Sequence, residues 1–518
     1  MKPICESILA DISHETVTLS FPSDLTGIWT SQSCEVRPGP EFLIRKYSFD
    51  KRNFTVEQFY YKDSQCSTPL YAIVAKGRIK AQRWSLLTQG GVESRYHLHS
   101  VSVLPYSPSA AWSLKHRSFR ACPHLSKSHW KPFYQYNLMK LLEHSILDCT
   151  DKFSWTLNEF QLLKLEKRIV YKGFKLFTDE ELFTGDIHLD NTVRKHFYRP
   201  TDYQTALKKP SGRACKICHQ ISNSDLYHPP ILPKSPFTPI STIGHWVSVR
   251  CETRPLGMFI TRRLTFYEGG NNWSGTYNYF RDPRCRQPSF TLDAEGKYSE
   301  IMGTTTVIGG TKHYKFTVQR LKITPEHYSI SENLNFYNGS GCGVPGSWRI
   351  GITQDVTSTH GCRPMDIRLP NVVLETIKTV TDVNKERYLY MGKRVMYSGP
   401  RSHSYPTSFQ PPLQSCTKGN IKRKSGSSSL TVRHIKQNIA QAKPLIQLSG
   451  TRSLYATSMA ARQKTVNSLL ITSMMAVVAL LTKSREMSST RDYWQMLITM
   501  CFICALSLTG FIAAAVQN

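Results

Sequence analysis

Between Met1 and Ser20 there is no run of 7–15 apolar residues behind a basic start, so no secretory signal peptide is visible. Walker loops, HExxH pairs, nucleophile elbows and Gly-rich dinucleotide fingerprints are also missing, which removes the enzyme classes built on them. No second CxxC accompanies Cys215-Lys-Ile-Cys218 outside the apolar C-terminal segment holding Cys501 and Cys504, so a zinc site there lacks ligands. Negative charge is scarce: 37 Asp and Glu face 66 Lys and Arg, for a net charge of +29. From Thr417 to Asn467 there are no acids against ten basic residues, but elsewhere the excess is spread without the dense run of a nucleic-acid arm. That pattern argues against nucleic acid and suits anionic surfaces such as acidic headgroups or sulfated glycans.

What the chain does have is a duplication. GIWTSQSCEVRP from Gly27 returns as GHWVSVRCETRP from Gly244, with Trp29, Ser31, Cys34, Glu35, Arg37 and Pro38 falling on Trp246, Ser248, Cys251, Glu252, Arg254 and Pro255. Phe42, Arg45 and Phe49 meet Phe259, Arg262 and Phe266 at the same offset. After a two-residue insertion Gly77 meets Gly296, and Gly90-Gly91 meets Gly309-Gly310. The halves also close alike, Thr201-Asp-Tyr203-Gln204 against Thr407-Ser-Phe409-Gln410. Whole domains were therefore copied, not short solenoid units.

Cysteine follows the copy. Two of the fourteen lie in the apolar tail, leaving an even twelve. Cys34, Cys66, Cys122, Cys149 and Cys215 parallel Cys251, Cys285, Cys342, Cys362 and Cys416, and Cys218 adds a further disulfide candidate. A duplicated frame of this kind reads as disulfides in an oxidising compartment, with pairing open. Sequons at Asn53, Asn272 and Asn338 agree, the first two at matching places. These features favour a missing or replaced leader over a non-secreted protein.

Short runs rich in Phe, Tyr, Val and Ile, broken by Gly and polar residues, predict antiparallel meanders. The expected fold is mainly β (β-rich α+β): two homologous antiparallel-sheet domains in tandem, plus a C-terminal hydrophobic anchor. The expected organisation is an unstructured lead-in over 1–24, repeat domains over 25–227 and 241–416, and a stiff proline-rich linker over 228–240. A basic disordered stalk over 417–467 and a hydrophobic region over 468–518 follow, with a transmembrane segment at 496–516 preferred over a tail removed on lipid anchoring. Residues 136–147 suggest a helix. Phe160–Val170 and Val372–Val380 fit strand or helix equally.

Chemistry is thin. Cys215-x-x-Cys218-His219 matches a haem-attachment signature, but a disulfide involving Cys215 explains it better. Asp186, His188 and Asp190, if extended, point to one face and form a candidate metal or acid–base cluster; a polar turn is the plainer reading. Arg37 and Arg254 suit ion pairs at domain seams. No catalytic residue, cofactor or metal is assigned. Alternating aromatics fill a core or line an apolar cavity.

CEVRPGPEF from Cys34, QFYY from Gln58, GDIH from Gly185, FYRP from Phe197, HPPILP from His228 and DVTSTHGC from Asp355 resemble, in order, the adenomatosis polyposis coli down-regulated family. These are membrane-anchored antagonists of Wnt signalling, and the similarity runs from Gly27 to Cys416. The resemblance implies an extracellular protein on the plasma membrane with two related barrel-like domains and a lipid-accepting cavity. Its implied partners are a lipidated Wnt ligand and a Wnt co-receptor. The candidates for such a cavity are Phe42, Phe49, Phe59, Tyr61, Phe259, Phe266, Tyr277 and Tyr279. The signal peptide and the family's short stalk with a single anchor have no close match here. Two other readings are a metal-dependent extracellular enzyme using Asp186, His188 and Asp190, and a receptor-binding scaffold that needs no lipid. Disulfide connectivity, the bound lipid and oligomeric state stay open.

Overall fold

A computed structural model gives the fold. It describes residues 2–416 apart from 15–16, 119–121, 123–124, 126–127, 142–145, 173–174, 191–193, 195–197, 211–214, 235, 338–340, 366, 370–371, 383–384 and 394–404. The sequon at Asn338, the stalk at 417–467 and the apolar region at 468–518 with its span 496–516 lie outside the described residues.

Period-two alternation builds the architecture. The first half supplies β1 (Gly27–Thr30), β2 (Glu41–Asp50), β3 (Asn53–Tyr61), β4 (Pro69–Trp84), β5 (Val92–Pro105), β6 (Leu162–Lys172), β7 (Lys175–Thr184) and β8 (Leu207–Lys208). Every neighbouring pair is antiparallel, and β8 returns to β1, so the eight strands close a barrel. The second half repeats this with β9 (Gly244–Ser248), β10 (Met258–Phe266), β11 (Asn272–Phe280), β12 (Pro288–Glu300), β13 (Lys312–Pro325), β14 (Val373–Thr381), β15 (Arg387–Met391) and β16 (Leu413–Ser415). Its ring closes through β16 and β9 in the same order. The protein is therefore mainly β, with two closed antiparallel barrels in tandem. Closure leaves neither ring with a free edge.

The repeated residues explain themselves here. Trp29 and Trp246 are fully buried and donate from Nε1 to Leu25 O at 2.8 Å and Thr242 O at 2.6 Å. Gly77 and Gly296 sit at equivalent β-bulges, where a Cβ would come within 2.2 Å of His97 O and 1.8 Å of Thr317 O. No side chain fits at either position. On β2, Leu43, Tyr47 and Phe49 face the barrel interior while Phe42 and Ile44 face outward. That outer cluster is covered by Ile221 from α2 (Lys216–Ser222), by Leu232 and by Ile308 of the second barrel.

The two barrels meet along a seam with quasi-two-fold character. Gly39 N–H donates to Thr407 Oγ1 at 3.0 Å, and its counterpart Leu256 N–H donates to Thr201 Oγ1 at 3.1 Å. Lys393 of the second barrel lies 2.7 Å from Asp202 and 3.5 Å from Asp186 of the first. Arg250 reaches Glu181 at 3.1 Å. The linker is packed, with Leu232 N–H bonded to Cys66 O at 3.1 Å and Tyr61 Oη donating to Pro230 O.

Several expectations are corrected. Residues 1–24 are no unstructured lead-in: α1 (Lys2–His14) lays Ile4, Ile8 and Leu9 against Val247, and Val17–Ser20 pairs with β6. Cys5, absent from the candidate set, joins Cys416, so Cys416 does not mirror Cys215. The helix expected at 136–147 is instead two strands, Tyr136–Leu141 and Ile146–Asp148. A bulge opposite Val101 and Ser102 buries Leu138 and Met139 in succession, and that doublet imitates helical spacing. The ambiguous segments are strands, β6 entered through a 3-10 turn at Asn158–Gln161, and β14.

Candidate functional site

Each barrel interior carries the same buried polar bolt. In the first, Glu35 holds Arg45 at 2.9 Å, Ser31 Oγ accepts from Arg45 N–H at 2.8 Å, and Arg45 Nη2 donates to Thr205 O at 2.6 Å. In the second, Glu252 holds Arg262 at 2.9 Å, Ser248 Oγ accepts from Arg262 N–H at 2.7 Å, and Arg262 Nη2 donates to Pro411 O at 2.6 Å. Gln204 and Gln410 tie this network to Gly185 O and Gly392 O at 2.7 and 2.6 Å. Arg37 pairs with Glu159 at 2.7 Å and Arg254 with Glu252 at 2.9 Å. Both arginines therefore serve inside their own barrels, not at a seam. Burial works against the Arg37 charge, and Glu159 more than restores it.

Beyond the bolt the two interiors differ. The first is filled by its own chain, where residues 150–161 enter the barrel and bury Phe153, Trp155, Leu157 and Phe160. Phe160 packs its ring against Tyr47, Phe49 and Phe54 at 5.4, 5.8 and 5.0 Å, and Trp155 Nε1 donates to Gln58 Oε1 at 2.8 Å. The space left beside Arg37, Tyr60 and Trp155 is about 20 Å³, room for about one water. In the second barrel Gln58 is replaced by Tyr277, and a cavity of about 210 Å³ opens. Leu264, Trp273, Tyr277, Leu292, Phe316 and Leu321 line it, with Glu375 as an acidic group on its wall. Glu375 Oε1 accepts from Gly392 N–H at 2.7 Å and Thr376 N–H at 3.0 Å. The indole Nε1 of Trp273 is buried without a hydrogen-bond partner. Burial pushes the Tyr277 phenol up to about 12, so it stays neutral.

The structure distributes the eight aromatic candidates among different places. Only Tyr277 of the eight lies on the cavity wall. Phe49 and Phe266 are core, Phe266 packing on Tyr298 and Phe316 at 5.0 and 6.1 Å. Tyr279 stacks on Phe290 at 4.3 Å, as Tyr60 stacks on Tyr71 at 4.7 Å in the first barrel. Phe42, Phe59 and Tyr61 face outward under α2 and the linker, and Phe259 is likewise buried on the outer face of β10. The alternation that built the hairpins carries this distinction. Adjacent aromatics such as Phe59 and Tyr60 must occupy opposite faces.

Six disulfides account for all the candidate cysteines: Cys34–Cys66, Cys122–Cys149, Cys215–Cys218, Cys251–Cys285 and Cys342–Cys362, with Cys5–Cys416. The haem-like signature is thus a local disulfide at the N-terminus of α2, and His219 Nδ1 lies 3.1 Å from Asn223 Nδ2. Asp186 is buried, accepts from Tyr198 Oη at 2.9 Å and faces Lys393, while His188 Nδ1 accepts from Asp190 N–H at 3.0 Å. The supposed cluster is a turn beside the seam. Among the described residues no three His, Cys, Asp or Glu gather as metal ligands, and no helix is long and apolar enough to cross a membrane. Asn53 and Asn272 are exposed at the starts of β3 and β11, equivalent hairpin positions.

The fold and interior define a disulfide-stapled tandem of antiparallel barrels, one plugged and one hollow. The family model described as Adenomatosis polyposis coli down-regulated 1 matches residues 4–233 and again 237–425. The chain belongs to that family.

Proposed function

We propose that the protein is an extracellular, membrane-anchored binding protein that lowers Wnt signalling by holding the ligand's acyl chain in the second barrel. The observation that carries this reading is the asymmetry between the two interiors. A duplicated barrel that can be filled by an inserted segment, as the first is, is left open and apolar in the second. Burying five or six methylenes there contributes roughly 4–5 kcal/mol at about 0.8 kcal/mol each, before ordering costs. The unmet indole N–H of Trp273 offers a donor to an ester carbonyl. Contacts to the ligand's protein surface or to a co-receptor supply the rest of the affinity.

The test is binding of an acylated Wnt peptide and its deacylated twin, followed by native mass spectrometry. The acylated form is expected to bind at least tenfold more tightly. Ala294→Phe, which projects a ring into the cavity, is expected to abolish that difference while preserving folding. Equal binding of the two peptides to the parent protein would favour the lipid-independent scaffold.

A further inference from the structure

The hairpin of β4 and β5 carries an unneutralised basic strip on its outer face. Lys76, Arg78 and Lys80 alternate outward along β4 and are exposed, as are Arg95, His97 and His99 on β5. The register sets Lys80 opposite Arg95 and Arg78 opposite His97. The His97 and His99 rings lie 5.5 Å apart. Like charges directly opposite in an antiparallel pair are destabilising, so barrel stability does not account for them.

The second barrel is an internal control, because the same strands do the same structural work there. Its equivalent positions read Glu295, Lys297 and Ser299 on β12, with Lys315 and Thr317 opposite. Glu295 faces Arg320 across the strands, and Glu300 neutralises Lys312 at 2.8 Å. In the first barrel the bordering acids are already engaged, Glu57 with Lys46 at 3.3 Å and Glu93 with Arg83 at 2.9 Å. Among the described residues no ion pair neutralises Lys76, Lys80 or Arg95.

We propose that this strip binds a linear sulfated polysaccharide. It runs about 13 Å along the strands and is two strands wide, so successive sulfates on one chain engage both rows. Release of counterions from the polyanion drives the association and makes it salt-dependent. A glycan on Asn53, which faces Arg78, would flank the strip without covering Lys80 and Arg95 farther along the hairpin. The site is independent of the apolar cavity, which lies in the other barrel.

The experiment compares the full chain with the triple variant Arg78→Gln, Lys80→Gln, Arg95→Gln on immobilised heparin across a salt series. Lys297→Gln with Lys315→Gln on the second barrel is the matched control. Affinity is expected to fall at least tenfold in the triple variant, with the salt slope reduced by about two to three, and at most twofold in the control. Arg78→Lys with Arg95→Lys should keep binding, and thermal melting of the triple variant should not fall, because the charges removed are exposed and repel one another, and Arg78 gives up only a surface hydrogen bond to Asn53. Desulfated heparin should fail to compete. Unchanged affinity in the triple variant, an equal loss in the control, or competition by desulfated chains would overturn the proposal. So would binding of phosphatidylserine vesicles that matches heparin and is lost with the same three residues, which would make the strip a membrane contact.

Discussion

Arg45 and Arg262 show what the duplication preserved. Both guanidinium groups are buried, each pairs with the glutamate ten residues before it, and each closes its barrel by reaching a carbonyl near the closing strand. Removing one charge from such a pair leaves the other uncompensated, at a cost of about 3–5 kcal/mol. Arg45→Ala is therefore expected to lower the chemical-denaturation stability by that amount, and Arg262→Ala by less, because Glu252 keeps Arg254. Glu35→Gln combined with Arg45→Ala should cost less than the sum of the single changes, as a double-mutant cycle would record. Gly296→Ala tests a different constraint, since its Cβ would enter the Thr317 carbonyl. A loss of at least about 2 kcal/mol in the same assay is expected. The repeated Ser, Glu, Arg and Gln residues were visible in the sequence as identities between the halves. Their burial as one network was not, because residues such as Glu35 and Gln204 come together only when β8 closes onto β1.

At the scale of elements, the hairpins were legible and the plug was not. Alternation in Glu41–Tyr61 and Met258–Phe280 marks strands whatever they enclose. Nothing in the pattern says that residues 150–161 turn into one barrel while the other keeps a cavity. Three-dimensional volume decides that, and a single exchange such as Gln58 for Tyr277 does not reveal it. The cavity candidates were consequently spread over both faces of the strands. Helix α1 carries Ile4, Ile8 and Ile12 at helical spacing, but what holds it in place, Val247 and Cys416, lies in the second half of the chain, so local pattern alone does not distinguish it from a polar lead-in. Its anchor is Cys5–Cys416. Cys5→Ser is expected to cost about 2–4 kcal/mol and to expose the Cys416 thiol to alkylation, read by unfolding and mass spectrometry.

At the scale of the whole molecule, the seam is electrostatically polarised. The first barrel contributes Glu166, Glu181, Asp186 and Asp202, and the second contributes Arg250 and Lys393. Burial works to raise the Glu166 carboxyl, but Lys164, Arg250 and Arg168 override it and bring it down to about 2. Its folded value lies below the ordinary 4.5, so its pairing contributes stability above about pH 4.5. That contribution is lost as pH falls from 4.5 toward 2. Asp186 moves the other way, raised by burial against the pull of Lys393. Urea midpoints measured across that window should decline. The decline should be shallower in Arg250→Ala, where Glu166 has one cation fewer to lose.

The quasi-symmetry of the seam has a consequence for the history of the chain. Asp186 and Lys393 follow the equivalent bridge residues Gly185 and Gly392, so each occupies the place the other would hold after a half-turn. Two copies of the first barrel docked this way would set one buried aspartate against another, and two copies of the second would oppose lysines. The present halves are thus complements: opposite signs at these two positions favour the tandem over the pairing of either half with its own twin.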